Sequence, residues 1–288
     1  MKEFEYLEPK SLQQALEWLN THRGRARVLA GGTDLYLRLR KHVFLPDYVI
    51  DLKRVPELDY ITPNRGGGVQ IGPTALQDEV ARSAVIQQLY PALAEAALWV
   101  GAVQTRNRAT VVGNLCNASP AADTAPALLS YSAQVKIASV TGERSVPLEE
   151  FFVGPGRTVL QDNELVAEVI LPAPRPRTGG AFFRRTRTAM DIAVVCGATV
   201  LNLTNGTCQE ARISLGAVGP TPLRAVRAEA VLQGHTLTEQ RLDEASRIAS
   251  EEARPIDDVR GSAEYRREMV HVLTRRGLGQ ALERAQAR

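Results

Sequence analysis

Val28-Leu29-Ala30-Gly31-Gly32-Thr33-Asp34-Leu35 is the stretch on which the reading of this chain turns. An apolar run of strand character, Val28-Leu29-Ala30, enters two consecutive glycines, and a helix-compatible segment from Leu35 to about Arg40 leaves them. Glycine removes the side chain from in front of the main-chain N–H groups, and the helix that follows turns its positive end toward the same point. A diphosphate can approach closely there. An ordinary tight turn uses the same residues. The dinucleotide fingerprint GxGxxG is absent, and no acidic residue is set to hold a ribose.

Upstream, Ser11 is placed to cap a short helix with Leu12, Ala15, Leu16 and Leu19 on one face. Downstream, 47–52 reads as a second strand, so residues 1–55 form a small α/β unit. The runs 58–61 and 69–71 flank Gly66-Gly67-Gly68 and suggest a hairpin. Helical stretches follow from Thr74 and across Pro91 to Trp99, while Gln104 to Asn114 fits neither period and reads as a loop. Segments 134–137 and 144–146 make another hairpin, and 165–171 is a strand that stops at Pro172. Pro172 to Gly180 is the richest Pro/Gly stretch and joins neither a helix nor a central strand. It divides 1–175 from 176–288. Beyond it, 192–203 and 211–218 are joined through Asn205-Gly206, a type I′ hairpin signal, and helices are expected at about 222–233, 238–253 and 262–276. Strands followed by helices give an α+β pattern.

Composition narrows the function. The 288 residues carry 35 basic and 32 acidic side chains, a net charge of +3 without a basic stripe, which speaks against a nucleic-acid partner. The N-terminus MKEFEYLEPK has no apolar signal region, and no run approaches the roughly 20 apolar residues of a membrane span, so no membrane insertion and a cytoplasmic location are expected. Cys116, Cys196 and Cys208 are scattered and outside any CxxC, so any iron–sulfur chemistry comes from another chain.

A second loop repeats the design of the first. Thr110-Val111-Val112-Gly113-Asn114 surrounds one glycine with small and hydroxylated residues, and 117–126 continues it with Asp123, which can accept hydrogen bonds from a sugar or an adenine amino group. A polar interdomain loop with Asp123 as a helix cap is the alternative. Two loops of this kind suit one diphosphate held from both sides.

Ala30-Gly31-Gly32-Thr33-Asp34, the Gln104 to Asn107 and Gly113-Asn114 segment, Ala118 to Asp123, Met190-Asp191-Ile192-Ala193 and Arg260 to Arg266 occur in order along the whole chain. Together they resemble the FAD-binding medium subunit of the xanthine dehydrogenase and carbon monoxide dehydrogenase family of molybdenum hydroxylases. The resemblance implies an α+β fold: a two-subdomain FAD-binding domain of the vanillyl-alcohol oxidase type over 1–175 (about 1–55 and 56–175), then a C-terminal flavoprotein domain of a three-stranded antiparallel sheet and a helical bundle over 176–288. It places Val28, Leu29, Ala30, Gly31, Gly32, Thr33, Asp34 and Leu35, with Thr110, Val111, Val112, Gly113 and Asn114, on the FAD diphosphate. Asp123 matches the acidic residue on the adenosine side, and Leu165 an apolar adenine or ribose contact. Many relatives carry a lysine where Phe183 stands here; Arg184 is assigned that basic contact. No catalytic or metal-binding residue is implied in this chain.

Relatives that reduce hydroxybenzoyl-CoA carry a cysteine-rich cluster loop after the second motif, and here only Cys116 is present. His22, His42, His235 and His271 lie outside both loops, so the FAD is expected to be non-covalent. The implied protein is an oxidoreductase subunit. Molybdopterin resides in a large partner subunit, and [2Fe-2S] clusters in a small one pass electrons through this chain's FAD to an external acceptor, in a dimer of heterotrimers. A stand-alone flavoprotein oxidase of the same flavin-domain superfamily and a flavin-free scaffold are the alternatives.

Overall fold

The computed structural model describes residues 1–288. Its first unit runs β1 (Glu5–Leu7), α1 (Leu12–Thr21), β2 (Ala26–Leu29), α2 (Leu35–Arg40), β3 (Tyr48–Asp51), with the strands parallel in the order β1-β3-β2. The Ser11 hydroxyl accepts from the Gln14 amide at 3.1 Å, and α1 buries Ala15, Leu16 and Leu19 as its apolar spacing requires. Strand β2 stops at Leu29, one residue earlier than the apolar run suggests, and the chain then opens into the glycines.

The next unit begins with β4 (Ile61–Pro63) and β5 (Val69–Ile71). The hairpin starts later than 58–61 because Leu58 is buried beneath the first sheet instead, where its carbonyl accepts from the Thr74 amide at 3.1 Å. Six short helices follow: α3 (Gln77–Arg82), α4 (Ala84–Leu89), α5 (Pro91–Leu98), α6 (Val103–Arg106), α7 (Val111–Asn117) and α8 (Thr124–Ser130). The expected loop over Gln104 to Asn114 is therefore largely helical. Thr110 caps α7, its hydroxyl accepting from the Gly113 amide at 2.9 Å. These helices have four and seven residues, too short to display a period. Then come β6 (Gln134–Ser139), β7 (Gly142–Pro147), α9 (Leu148–Phe151), the small hairpin β8 (Phe152–Gly154) and β9 (Arg157–Thr158), and β10 (Leu165–Leu171). The sheet is antiparallel, ordered β4-β5-β10-β6-β7, and its core gathers Tyr90, Leu93, Leu115, Leu128 and Phe151.

The last unit is β11 (Thr178–Arg185), β12 (Val195–Thr204), β13 (Thr207–Gly216), β14 (Leu223–Arg224), α10 (Val226–Leu232), α11 (Glu239–Glu252) and α12 (Ala263–Gln286). Three long antiparallel strands carry a two-residue fourth, β14, in place of the start of the helix expected from 222. Asn205 and Gly206 adopt φ of 51° and 78°, as their hairpin turn demands. Gly179 and Gly180 belong to β11, contrary to the sequence reading. The strand is at the sheet edge, and its glycines admit two close neighbours: a Cβ on Gly179 would lie 2.1 Å from the Ala281 carbonyl oxygen, and one on Gly180 2.1 Å from the Tyr131 hydroxyl. Helix α12 runs ten residues past the expected end near 276, through Gly277, because its last turns bury Leu278, Ala281 and Ala285 against the sheet. The sheet's other face meets α5 and α8, so Phe182, Cys196, Ala198 and Val200 join the core of the preceding unit. No helix is long and apolar enough to cross a membrane.

Candidate functional site

The two glycine-bearing segments meet. A Cβ on Gly31 would stand 2.1 Å from the Arg108 carbonyl oxygen and 2.8 Å from Ala109 Cα, so the turn after β2 packs main chain on main chain against the segment leading into α7. The amides of Gly31, Gly32, Thr33 and Asp34 donate to no other main-chain group, whereas the Gly32 and Asp34 carbonyls accept from Tyr36 and Arg38 and start α2. On the other side the Asn114 amide is taken by the Thr110 carbonyl and the Gly113 amide by the Thr110 hydroxyl, which leaves the Val112 amide uncommitted. Thr124 donates to Asn114 Oδ1 at 2.8 Å and fixes that side chain.

Around this meeting point lies a cleft of about 1070 Å³, at the upper limit of the ~300–1,000 Å³ usual for small-molecule sites. Val28, Ala30, Gly31, Gly32, Thr33, Asp34 and Leu35 line it from one side, and Thr110, Val112, Gly113 and Asn114 from the other. Asp123, Leu165 and Arg184 line it as well. Leu29 and Val111 do not: Val111 is fully buried, and Leu29 packs beneath Gly32. Amides without a main-chain acceptor, in residues that line a roomy cleft and include glycine where a side chain would obstruct, fit the diphosphate of FAD.

Asp123 and Arg184, separate expectations in the sequence, are bonded to each other. Arg184 Nε donates to Asp123 Oδ1 at 2.8 Å, and the side chains are only 5% and 11% exposed. Arg184 Nη2 also donates to the Asp191 carbonyl at 2.6 Å, and its guanidinium lies 5.4 Å from the centre of the Trp99 ring. Burial pushes the Asp123 carboxyl up to about 6 against the opposing pull of Arg184. Asp123 does not cap α8 with its side chain. Strand alternation explains why Arg184 rather than Phe183 reaches the cleft: Phe183 turns to the opposite face, against Gly197 and Gly277. Beyond Arg184, Arg187 bonds Asp191 at 2.7 Å and holds that carboxyl down at about 2.

Sequence reasoning missed several lining residues. Arg27, Arg38 and Phe44 face the same cleft, and only the position of Arg38 one helical turn after Asp34 could have signalled it. Cys116 also lines the cleft, its thiol raised to about 12 by burial. No group of three or more His, Cys, Asp or Glu side chains is placed to hold a metal ion.

A two-sided amide cradle between α/β units, bordered by a third unit, defines a protein built to hold a diphosphate-bearing cofactor. Residues 2–174 match the family described as the FAD binding domain in molybdopterin dehydrogenase, and residues 181–281 that of the CO dehydrogenase flavoprotein C-terminal domain. The carbon monoxide dehydrogenase medium chain of Hydrogenophaga pseudoflava is 32% identical over 281 residues, 98% of both chains. The xanthine dehydrogenase FAD-binding subunit of Escherichia coli O157:H7 is 34% identical over 263 residues, covering 91% of this chain and 90% of that one. Among solved structures, carbon monoxide dehydrogenase from H. pseudoflava lacking the Mo-pyranopterin moiety superimposes with a TM-score of 0.94 at 34% identity, covering 98% of each chain. Quinoline 2-oxidoreductase from Pseudomonas putida 86 gives 0.92 at 30% identity, covering 99% of each. The chain belongs to the FAD-binding medium subunits of the xanthine dehydrogenase and carbon monoxide dehydrogenase family, oxidoreductases of the molybdenum hydroxylase class.

Proposed function

We propose that this chain holds FAD non-covalently in the cleft and serves as the electron relay of a cytoplasmic molybdenum hydroxylase complex. A small partner subunit with [2Fe-2S] clusters delivers electrons, a large molybdopterin subunit oxidises the substrate, and an external acceptor takes the electrons from the flavin, in a dimer of heterotrimers. On this reading 1–175 is the FAD-binding domain and 176–288 the C-terminal domain. The observation that carries it is the convergence of uncommitted amides from Gly31 to Asp34 and from Val112 on one cleft.

Bound FAD supplies one- and two-electron redox chemistry. The residues supply position and charge. Amides of the first turn and of Val112 receive the diphosphate from opposite sides, and Thr110 and Thr124 keep the second side rigid through their bonds to Gly113 and Asn114. Leu165, at the start of β10, gives the adenosine an apolar wall. Arg184, tied to Asp123 and to the Asp191 carbonyl, holds segment 186–192 across the cleft and keeps a fixed cation beside it.

Isolation of the native complex tests this reading. A large molybdopterin protein and a small iron–sulfur protein should co-purify with the chain, and acid precipitation should release the flavin into the supernatant. Flavin that precipitates with the protein would refute non-covalent binding, and substrate turnover with oxygen by the chain alone would refute the relay.

A further inference from the structure

Neither glycine segment contains a cation, and Asp34 adds a negative charge to the first. The diphosphate of a dinucleotide is a dianion, so main-chain amides alone would face its full charge. The cations of the cleft are elsewhere. Arg27, on β2, and Arg38, on α2, each place the guanidinium carbon over the ring of Phe44, at 4.9 Å and 5.2 Å from its centre. Their hydrogen bonds go to carbonyls and none to a carboxylate: Arg27 Nη1 donates to Ala26 at 2.8 Å, and Arg38 Nη2 donates to Asn117 at 3.1 Å. Asp34, one helical turn before Arg38, feels the charge of that arginine but is not hydrogen-bonded to it, Asp162 bonds neither arginine, Glu164 is occupied by Arg144, and Arg157 adds a further cation to this part of the cleft.

Two like charges gathered over one aromatic ring with no carboxylate hydrogen-bonded to either repel each other, and the arrangement gains from an anion placed between them. Arg38 is also fixed in place. It leaves the helix that follows the first glycine turn and bonds the carbonyl of Asn117, the last residue of α7, the helix that carries Gly113 in its first turn, so it ties the two glycine-bearing segments together across the cleft. Arg157 lines the same wall next to Gly156, whose Cβ position is 3.7 Å from Arg38 Nη2.

We propose that Arg38 and Arg27, held over Phe44, form a dianion clamp that binds the diphosphate of the cofactor and gives the main-chain cradle its charge. This rests on the FAD reading of the cleft and adds a contact that the glycine turns cannot make. Arg38 is the principal contact because both helices position it; Arg27 is the second cation.

Calorimetric titration of the flavin-stripped chain with ADP, inorganic pyrophosphate, AMP and adenosine tests the clamp without any turnover. The parent should bind ADP and pyrophosphate, bind AMP more weakly and bind adenosine most weakly, with ADP affinity falling as salt rises. Arg38→Gln should weaken ADP, pyrophosphate and FAD by about tenfold or more, the size of one lost charge-assisted hydrogen bond, and leave adenosine unchanged. Arg38→Lys should recover part of the loss, and Phe44→Leu should give a smaller one. ADP binding within twofold of the parent in a folded Arg38→Gln chain would overturn the clamp. Pyrophosphate binding with no preference for ADP over it would assign the clamp to a free anion and overturn its role on the cofactor. FAD retained normally by Arg38→Gln would sink the clamp alone; no FAD binding by the parent would sink the functional reading itself.

Discussion

Replacing Gly31 by alanine probes the point on which the whole cleft depends. The added methyl would stand 2.1 Å from the Arg108 carbonyl oxygen and within 2.9 Å of Arg108 C and Ala109 Cα, all main-chain atoms that no rotamer change can move away. Relief requires the two glycine segments to separate by about 1 Å, since non-bonded carbon atoms settle at roughly 3.5–4.0 Å. Overpacking a filled site costs about 1–3 kcal/mol; at 2 kcal/mol the Tm of a chain of this size falls by roughly 4–8 °C. The larger effect is on the ligand. Amides displaced by about 1 Å lose at least one charge-assisted hydrogen bond, so FAD affinity should fall tenfold or more. Recovery of flavin fluorescence on dilution gives the affinity, and circular dichroism gives Tm. Gly206→Ala is the control for conformation alone: its φ is 78° and nothing lies within 4 Å of the new methyl, so it should lower stability by about 1–2 kcal/mol and leave FAD binding unchanged. A Gly31→Ala chain that binds FAD within twofold of the parent and melts within a degree of it would refute the contact between the two turns.

Arg184→Met removes the cation that holds the Asp123 carboxyl down, so that carboxyl takes up a proton at neutral pH and the lost hydrogen bonds should cost about 1–3 kcal/mol in urea unfolding, whereas Arg184→Met with Asp123→Leu should cost less than the single change; additive losses would contradict a coupled pair. The Asp123 carboxyl rises from an ordinary value near 3.8 to about 6 on folding, so the folded state takes up its proton first. Its contribution to stability is complete at pH values below about 4 and disappears as pH rises through 6. Asp123→Asn should remove that part of the pH dependence, and an unchanged slope of Tm between pH 4 and 7 would count against the assignment. Burial raises the thiols of Cys116 to about 12 and Cys208 to about 11, and that of Cys196 well above its usual value. Cys196 and Cys208 should therefore resist Ellman's reagent at pH 8 in the native chain, where only the half-buried Cys116 on the cleft wall is within reach, and all three thiols should react in guanidinium; rapid labelling of more than one thiol in the native protein would refute the burial of the other two.

The sequence by itself determined the local devices. Ser11 before an apolar period, two glycines after a strand, Asn205-Gly206 between apolar runs and proline at the end of a strand each act through a neighbour's main chain, so their meaning survives without tertiary context. The order of motifs along the chain was legible for the same reason. What only the tertiary structure decided were relations between segments remote in sequence. Asp123 and Arg184 are 61 residues apart, and nothing in either segment discloses that one neutralises the other. Arg38 reaches Asn117 across 79 residues, and its place over Phe44 depends on how α2 folds back after the first turn. Gly179 and Gly180 read as linker composition, yet they are strand residues selected by the approach of Ala281 and Tyr131. In each case the residue answers to a long-range packing surface, and a chain read one window at a time contains no record of that surface.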